Sequence, residues 1–365
     1  MLDEIIAFAS ISSHSLDVKG LAVAAEYAKW LFSPLADEFE SIPLPSYKNL
    51  DNDGNWKEFP LGSLLTFKKL RKNAPVKLLL VGHYDTVYET LFSIRQEGDF
   101  LHGPGVADMK GGIILMFHLL SWLESSDLKE KIAWEVCLNP DEEIGSPSSG
   151  PLLQQAALDK TLGLVFEPSM PTGAIVGKRP GSKTIVIEAF GKGGHAGRDA
   201  HVGKNALVAL SEVALYFASL QNLEKGITVN PGWMKGGISA NVIPDKAVLI
   251  VNIRGEIEPF EDKLEAISQK RGVRFVVTQK NNRPPRHCLP DTLKYIELLG
   301  LPSEPSFGVS DSNLLEAVGL PTLDGLGPTG FNLHSTEEHL LISSLSTRLE
   351  SLKNFLKNLS TSLGA

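Results

Sequence analysis

The sequence predicts an α/β fold: a mostly parallel sheet flanked by helices, interrupted by an inserted α+β unit. Three observations carry this expectation. Short apolar runs that do not alternate, at residues 78–81, 132–138 and 162–166, suit strands buried on both faces. Helical periodicity surrounds them, in residues 1–33, 113–123 and 340–359. From Gly181 the texture changes to alternating strands in the order β-α-β-β-α-β, a small two-layer pattern of its own. At 365 residues the chain exceeds the usual size of one domain. The expected division is a discontinuous domain of residues 1–179 and 288–365, with residues 180–287 inserted into it, an arrangement that surface loops tolerate.

Taken in order, Ile5, Phe8, Val23, Tyr27, Trp30 and Leu31 mark the first helical region, with Ser15 or Asp17 as a cap for its second part. Pro43, Pro45 and the Asn/Asp/Gly cluster at 49–55 read as loops. The apolar stretch 113–123 is too short to cross a bilayer and reads as a buried helix, with His118 as a satisfied core histidine. In the insert, SKTIVIEAFG is an antiparallel strand, 205–220 a helix, GWMKGGISANVIPDKAVLIVNIRGEI two strands, 259–270 a helix and RGVRFVVTQ a last strand. Helices at 293–299, 314–318 and 340–359 complete the chain.

Composition narrows the function. A hydrophobic content of 42% with 21% charged residues describes an ordinary soluble globular protein. A net charge of −8 argues against a general nucleic-acid binder, which needs a basic face. The N-terminal MLDEIIAFASISSHS lacks a basic region followed by a long apolar core, so the expectation is a cytoplasmic protein with no membrane partner. Cys137 and Cys288 cannot form a disulfide framework and read as small core residues.

The chemistry gathers where the apolar strands stop. Residues 77–87, KLLLVGHYDTV, end in His83 and Asp85, which point the same way from an extended backbone. Asp85 can hold one ring nitrogen of His83 while the other takes a metal; the plain alternative is a solvated strand end. IAWEVCL runs into Asp141-Glu142-Glu143, and LGLVF into Glu167. Two like charges about 4 Å apart repel by about 4 kcal/mol at an effective dielectric of 20, so buried acids need a cation, whereas on a free loop they splay into water. Asp108 sits in the glycine loop LHGPGVADMKGG and could serve instead as a helix cap. Three strands ending alike at one sheet edge, where α/β proteins bind ligands, favour a site.

The motifs HYDTV, GPGVADMKGG, NPDEEIGS, FEPS, GKGGHAG and GFNLHSTEE, in that order along nearly the whole chain, resemble the M20 group of zinc metallopeptidases, which includes glutamate carboxypeptidase, acetylornithine deacetylase, succinyl-diaminopimelate desuccinylase and aminoacylase. NALVAL after GGHAG, and SANVIPDKAVLIVNIR, look closest to the glutamate carboxypeptidase branch. The resemblance implies two Zn²⁺ per chain, with Co²⁺ or Mn²⁺ able to substitute. Asp108 would bridge them, His83 and Glu167 completing one position and Glu143 and His334 the other. Glu142 would be the general base and acid for attack by metal-bound hydroxide on an amide, Asp85 would orient His83, and the Asp108-Met109 peptide would be cis. Three carboxylates, one hydroxide and two divalent cations sum to neutrality, and these ligand types suit zinc. The inserted unit would be a lid and the interface of a homodimer. His195 would stabilise the oxyanion, reaching a neighbouring subunit's site, and Asn241 and Arg254 would hold the substrate's carboxylate. Read without the family, His195 is a turn histidine, Arg254 a strand-end ion pair, and Arg198 a solvated charge. The expected activity is hydrolysis of an N-acyl amino acid or a short peptide with a free C-terminal carboxylate. The alternatives are a deacylase of the acetylornithine type, a catalytically silent binding member, or a two-metal phosphoesterase, for which only Lys110 offers a cation.

Overall fold

A computed structural model describes residues 1–362, so the last three residues of the expected 288–365 segment lie outside it. The chain divides into two compact units, one of Met1–Tyr47, Phe59–Arg179 and Arg286–Ala365, the other of Lys48–Glu58 and Pro180–Pro285.

In the first unit, among the described residues, eight strands form one sheet in the order Glu38–Pro43, Ser63–Lys69, Ile132–Asn139, Val76–His83, Leu162–Val165, Thr322–Asp324, Ile175–Lys178, Ser303–Pro305. The central strands run parallel, with Leu80 opposite Val136 on one side and Leu164 on the other. Both faces are covered, which is why these runs do not alternate. Helices Leu2–Ala9, Val18–Phe32, Gly111–Ser125 and Ile342–Ser362 pack on one face through Phe8, Phe32, Ile114 and Leu352. Leu153 of helix Gly150–Ala157 packs on the other, against Leu79, Val81 and Cys137.

The apolar stretch 113–123 lies in helix Gly111–Ser125, 15 residues that follow a break at Asp108-Met109, and Ile113, Ile114, Leu119 and Leu120 are buried in the core. Several local expectations change. His118 is half-buried rather than in the core, with Nε2 2.5 Å from Glu4 Oε2. Asp17 is the N-cap residue of the second helix but makes no side-chain cap, and Ser15 is drawn instead to Asp85. Residues 339–341 form a strand, and the last helix begins at Ile342. Cys137 is buried, whereas Cys288 is half-buried with φ +64°.

The second unit is a four-stranded antiparallel sheet in the order Thr228–Gly236, Lys246–Arg254, Ser182–Phe190, Arg274–Arg283. Helices Ala206–Ser219 and Glu261–Arg271 cover one face through Leu210, Val213, Phe217 and Leu264. Asn205 caps the first helix by accepting from Val208 N–H at 3.0 Å. Pro231 lies in the edge strand, where a missing N–H costs no ladder bond, and the register shifts beside it. The other face is covered by the hairpin of strands Tyr47–Leu50 and Trp56–Phe59, the segment expected to be a loop of the first domain. Leu50 and Trp56 pack on Val186, Val248 and Trp233, and Trp56 Nε1 donates to Glu188 at 2.9 Å. That cover explains why Ile185, Val186 and Ile187 are all buried instead of alternating.

Candidate metal centre

Strands Ile132–Asn139, Val76–His83 and Leu162–Val165 are parallel neighbours and end at one edge, with His83 opposite Asn139 and Val81 opposite Val165. Their continuations therefore bring His83, Glu142, Glu143 and Glu167 together. Asp108 reaches the same edge from the glycine loop, through a cis Asp108-Met109 peptide. Gly112 permits this approach: a Cβ there would lie 2.0 Å from the Phe166 carbonyl oxygen, at the strand end carrying Glu167. His334 arrives between strands Gly330–Phe331 and His339–Leu341 with φ +60°, a left-handed conformation that a non-glycine residue holds where its surroundings impose it.

Two sets of three ligand atoms result, His83 with Asp108 and Glu167, and Asp108 with Glu143 and His334, the atoms of each set lying within 4.8 Å of one another. Asp108 belongs to both. Its Oδ1 is 3.1 Å from His83 Nε2, and its Oδ2 3.3 Å from His334 Nε2. Glu167 Oε1 is 3.8 Å from His83 Nε2, and Glu143 Oε2 3.2 Å from His334 Nε2. His334 is the exposed member.

The electrostatics ask for a cation. Burial pushes Glu143 up to about 8, and the charge of Asp108 adds to it. Glu167 is raised well above the carboxylate range for the same two reasons. Burial also opposes ionised Asp108, but its hydrogen bonds to His334 and His83 outweigh this and hold it below the usual range. Hydrogen bonds to Asp108 and Glu143 push His334 up to about 11. Protons are thus held on imidazoles and carboxylates where divalent cations would otherwise supply the charge, and the nitrogen and oxygen donors suit zinc. The donor set fits a metal.

Asp85 meets His83 Nδ1 through two of its oxygens. His83 Nδ1 is closer to the Asp85 backbone carbonyl, at 3.0 Å, than to its carboxylate, at 3.4 Å. The carboxylate accepts from Glu142 N–H and Glu143 N–H, each at 3.2 Å, and from the Ser15 hydroxyl at 2.7 Å. The carbonyl and the carboxylate of Asp85 thus both face the imidazole, and the carboxylate also holds the backbone of the acidic pair. Asp141 turns the other way, accepting from Ser148 N–H at 3.0 Å and the Ser149 hydroxyl at 2.5 Å. Of the three consecutive acids, Asp141 turns away while Glu142 and Glu143 line the same cleft.

Glu142 lines a cleft of about 430 Å³ with Asp108, Glu143, Glu167, Arg179 and His334. A larger cavity of about 740 Å³, bordered by Thr66, Glu135 and Lys160, contains none of the expected site residues. Lys110 does not line the cleft; its ammonium donates to the Ile11 carbonyl at 2.7 Å, so Lys110 is not the cation a phosphoesterase reading expected there.

Sequence reasoning missed Arg179 and Asp324. Arg179 Nε donates to Asp324 Oδ2 at 2.6 Å and Nη2 to Oδ1 at 3.2 Å, while Nη1 donates to the Gly308 carbonyl at 3.2 Å. The hydroxyls of Ser310 and Ser312 donate to Asp324 at 3.0 and 2.5 Å. Neither residue belongs to a local motif; they are 145 positions apart. Burial alone would raise Asp324, but Arg179 outweighs it and holds the carboxyl at about 2. A depressed folded-state pKa contributes stability that is present above the unfolded value near 4 and lost as pH falls toward 2. Asp324→Asn is expected to cost about 3–5 kcal/mol at neutral pH, because it strands a buried guanidinium. Acid melts should show the wild type losing this advantage below about pH 4; equal stability of the two proteins at pH 7 would refute the assignment.

His195, Asn241 and Arg254 lie in the second unit. His195 and Asn241 are neighbours there, joined by Ala196 N–H to the Asn241 carbonyl at 2.9 Å. Arg254 stands at the far end of strand Lys246–Arg254, opposite Ser182, whereas the His195 segment follows the end where Phe190 faces Lys246. The strand spans about 26 Å at the usual rise. Within one unit, Asn241 and Arg254 therefore do not meet on one small carboxylate. Arg198 N–H donates to His195 Nδ1 at 3.3 Å.

Comparison with known proteins agrees with this geometry. The model of peptidase family M20/M25/M40 matches residues 79–358. Carboxypeptidase G2 of Pseudomonas sp. (strain RS-16) is 29% identical over 307 residues, covering 77% of this chain and 73% of its own. A putative succinyl-diaminopimelate desuccinylase of Mycobacterium tuberculosis (strain ATCC 25618 / H37Rv) is 26% identical over 309 residues, covering 79% and 84%. Among solved structures, a Staphylococcus aureus tripeptidase superposes with a TM-score of 0.73 at 20% identity, covering 99% of this chain and 98% of that one. An M20 family metallo-carboxypeptidase from Sulfolobus solfataricus gives 0.73 at 16% identity, covering 99% of each. With the family match spanning the strand ends and loops that supply all five clustered histidines and carboxylates, the chain belongs to peptidase family M20/M25/M40 and is a metallopeptidase or amidohydrolase of that family.

Proposed function

We propose that this chain uses two zinc ions to hydrolyse the amide bond of an N-acyl amino acid or a short peptide that ends in a free carboxylate, with Glu142 as the proton carrier. The observation that carries the reading is the pair of ligand sets sharing Asp108, with Glu142 lining the same cleft but belonging to neither set. His83, Asp108 and Glu167 would hold one ion, and Asp108, Glu143 and His334 the other. When bound, the ions would polarise the scissile carbonyl and make a water acidic enough to act as a nucleophile near neutral pH. Glu142 takes the proton from the attacking water at its carboxylate and delivers it to the leaving amine. Asp85 fixes the backbone of Glu142 and Glu143 by accepting both of their N–H groups.

Arg179 presents a guanidinium to the cleft, held there by Asp324, and suits a substrate carboxylate. We assign Arg254, Asn241 and His195 to the substrate as well, His195 stabilising the oxyanion. The separation of Arg254 from the other two supports a homodimer in which His195 and Asn241 act on the neighbouring subunit's substrate. The resemblance to carboxypeptidase G2 supports release of a C-terminal amino acid such as glutamate; the desuccinylase likeness supports removal of an acyl group instead.

The test is metal analysis followed by a hydrolysis panel of N-acyl amino acids and dipeptides varied at each end. About two zinc per chain and activity abolished by chelation are expected. Esterifying the carboxylate of the best substrate should raise KM. Activity that survives metal removal would reject the proposal.

A further inference from the structure

Glu338 follows the proposed ligand His334 by four residues in STEE, a run of the kind usually found on a surface, yet it is fully buried. Its carboxylate makes four hydrogen bonds. Oε1 accepts from the backbone N–H groups of Ala107, at 2.8 Å, and Asp108, at 3.0 Å. Oε2 accepts from Gly105 N–H at 3.2 Å and from the Tyr88 hydroxyl at 2.6 Å. The Tyr88 oxygen is also 3.0 Å from the Ser335 carbonyl, and Gly103 N–H donates to the Glu338 carbonyl at 3.1 Å. One side chain therefore satisfies three backbone N–H groups of the loop that delivers Asp108, while its own backbone belongs to the loop that delivers His334. A buried N–H without an acceptor costs about 1–3 kcal/mol, so the two loops cannot separate without losing several such bonds.

We infer that Glu338 is the residue that sets the spacing between Asp108 and His334, and so builds the metal position formed by Asp108, Glu143 and His334. The inference rests on the two-metal reading above. The other position draws His83 and Glu167 from separate strand ends that Glu338 does not touch, so it depends on this carboxylate only through the shared Asp108. Glu338 is thus a positioning residue: it reaches no substrate, and its effect passes through the backbone of a ligand.

The inference is tested by titrating metal-stripped full-length protein with Zn²⁺ in a calorimeter, comparing wild type with Glu338→Ala, Glu338→Gln and Tyr88→Phe. Loss of a partner behind a metal ligand lowers metal affinity by about 10–100-fold. That loss is expected for Glu338→Ala at one of two metal positions, leaving the other within a few-fold of wild type. Glu338→Gln keeps a carbonyl oxygen for Ala107 and Asp108 and can donate its amide to the Tyr88 oxygen, losing only the Gly105 bond, and should recover part of the affinity. Tyr88→Phe, which removes one bond of four, should lose least. Circular dichroism of each stripped protein reports folding independently of metal. If folded Glu338→Ala binds both ions as wild type does, the inference is wrong. It is also wrong if both positions weaken equally, or if Glu338→Gln behaves no better than alanine. Wild type that binds no second ion would instead overturn the two-metal reading itself.

Discussion

Replacing Glu142 with alanine is expected to lower kcat by about 10²–10⁴-fold, the usual contribution of a positioned proton carrier, while metal content stays at the wild-type level. The separation of these two readouts is what makes the experiment informative. Glu142 belongs to neither ligand set, so its carboxylate is not needed to hold an ion. Its backbone N–H remains bonded to Asp85 whatever side chain it carries, so Glu143 keeps its direction after the change. A structural role would move stability or metal content; a proton-carrying role moves kcat and leaves KM close to wild type. Loss of metal along with activity would mean that Glu142 and Glu143 have been assigned the wrong way round.

Asp108→Ala should do the opposite, emptying both positions at once. Asp108 is the member common to the two sets, whereas Glu167→Ala removes a ligand from one set. The expected result is metal content near zero for Asp108→Ala and retention of one ion by Glu167→Ala, read by elemental analysis after dialysis. The affinity lost should exceed the 10–100-fold typical of a supporting residue, because a ligand itself is gone. The fold should survive. Removing Asp108 takes a partner from His83 and His334, while each still has a second carboxylate nearby, Glu167 at 3.8 Å and Glu143 at 3.2 Å. If Asp108→Ala keeps one ion at wild-type affinity, the carboxylate is not shared.

The sheet core was legible in the sequence because parallel strands covered on both faces need continuous apolar runs, and 78–81, 132–138 and 162–166 supply them. The hairpin at 48–58 was not legible: its Asn, Asp and Gly residues read as a loop, and its Leu50 and Trp56 make sense only against Val186 and Val248 of two distant strands. The proposed ligands could be listed because His83, Glu143 and Glu167 follow the ends of apolar strands, and because the motifs around them, Asp108 and His334 resemble the M20 group in order. Arg179 and Glu338 could not, since a single arginine before a proline and an acid in STEE look solvated until the fold surrounds them.

By itself, the amino-acid order named the candidates, His83, Asp108, Glu142, Glu143, Glu167 and His334: apolar runs show where three strands stop and which acids and histidine stand there, and the ordered motifs resembling the M20 group supply Asp108, His334 and the proposed roles. Only the tertiary structure decided how they are held: that the Asp85 carboxylate grips the backbone of the acidic pair, that Asp324 aims Arg179, and that Glu338 ties one ligand loop to another. The reason is physical. Periodicity is a local property of a segment, readable over a few residues, whereas burying a carboxylate requires partners from wherever the chain happens to return, and for Glu338 those partners lie more than 200 positions away.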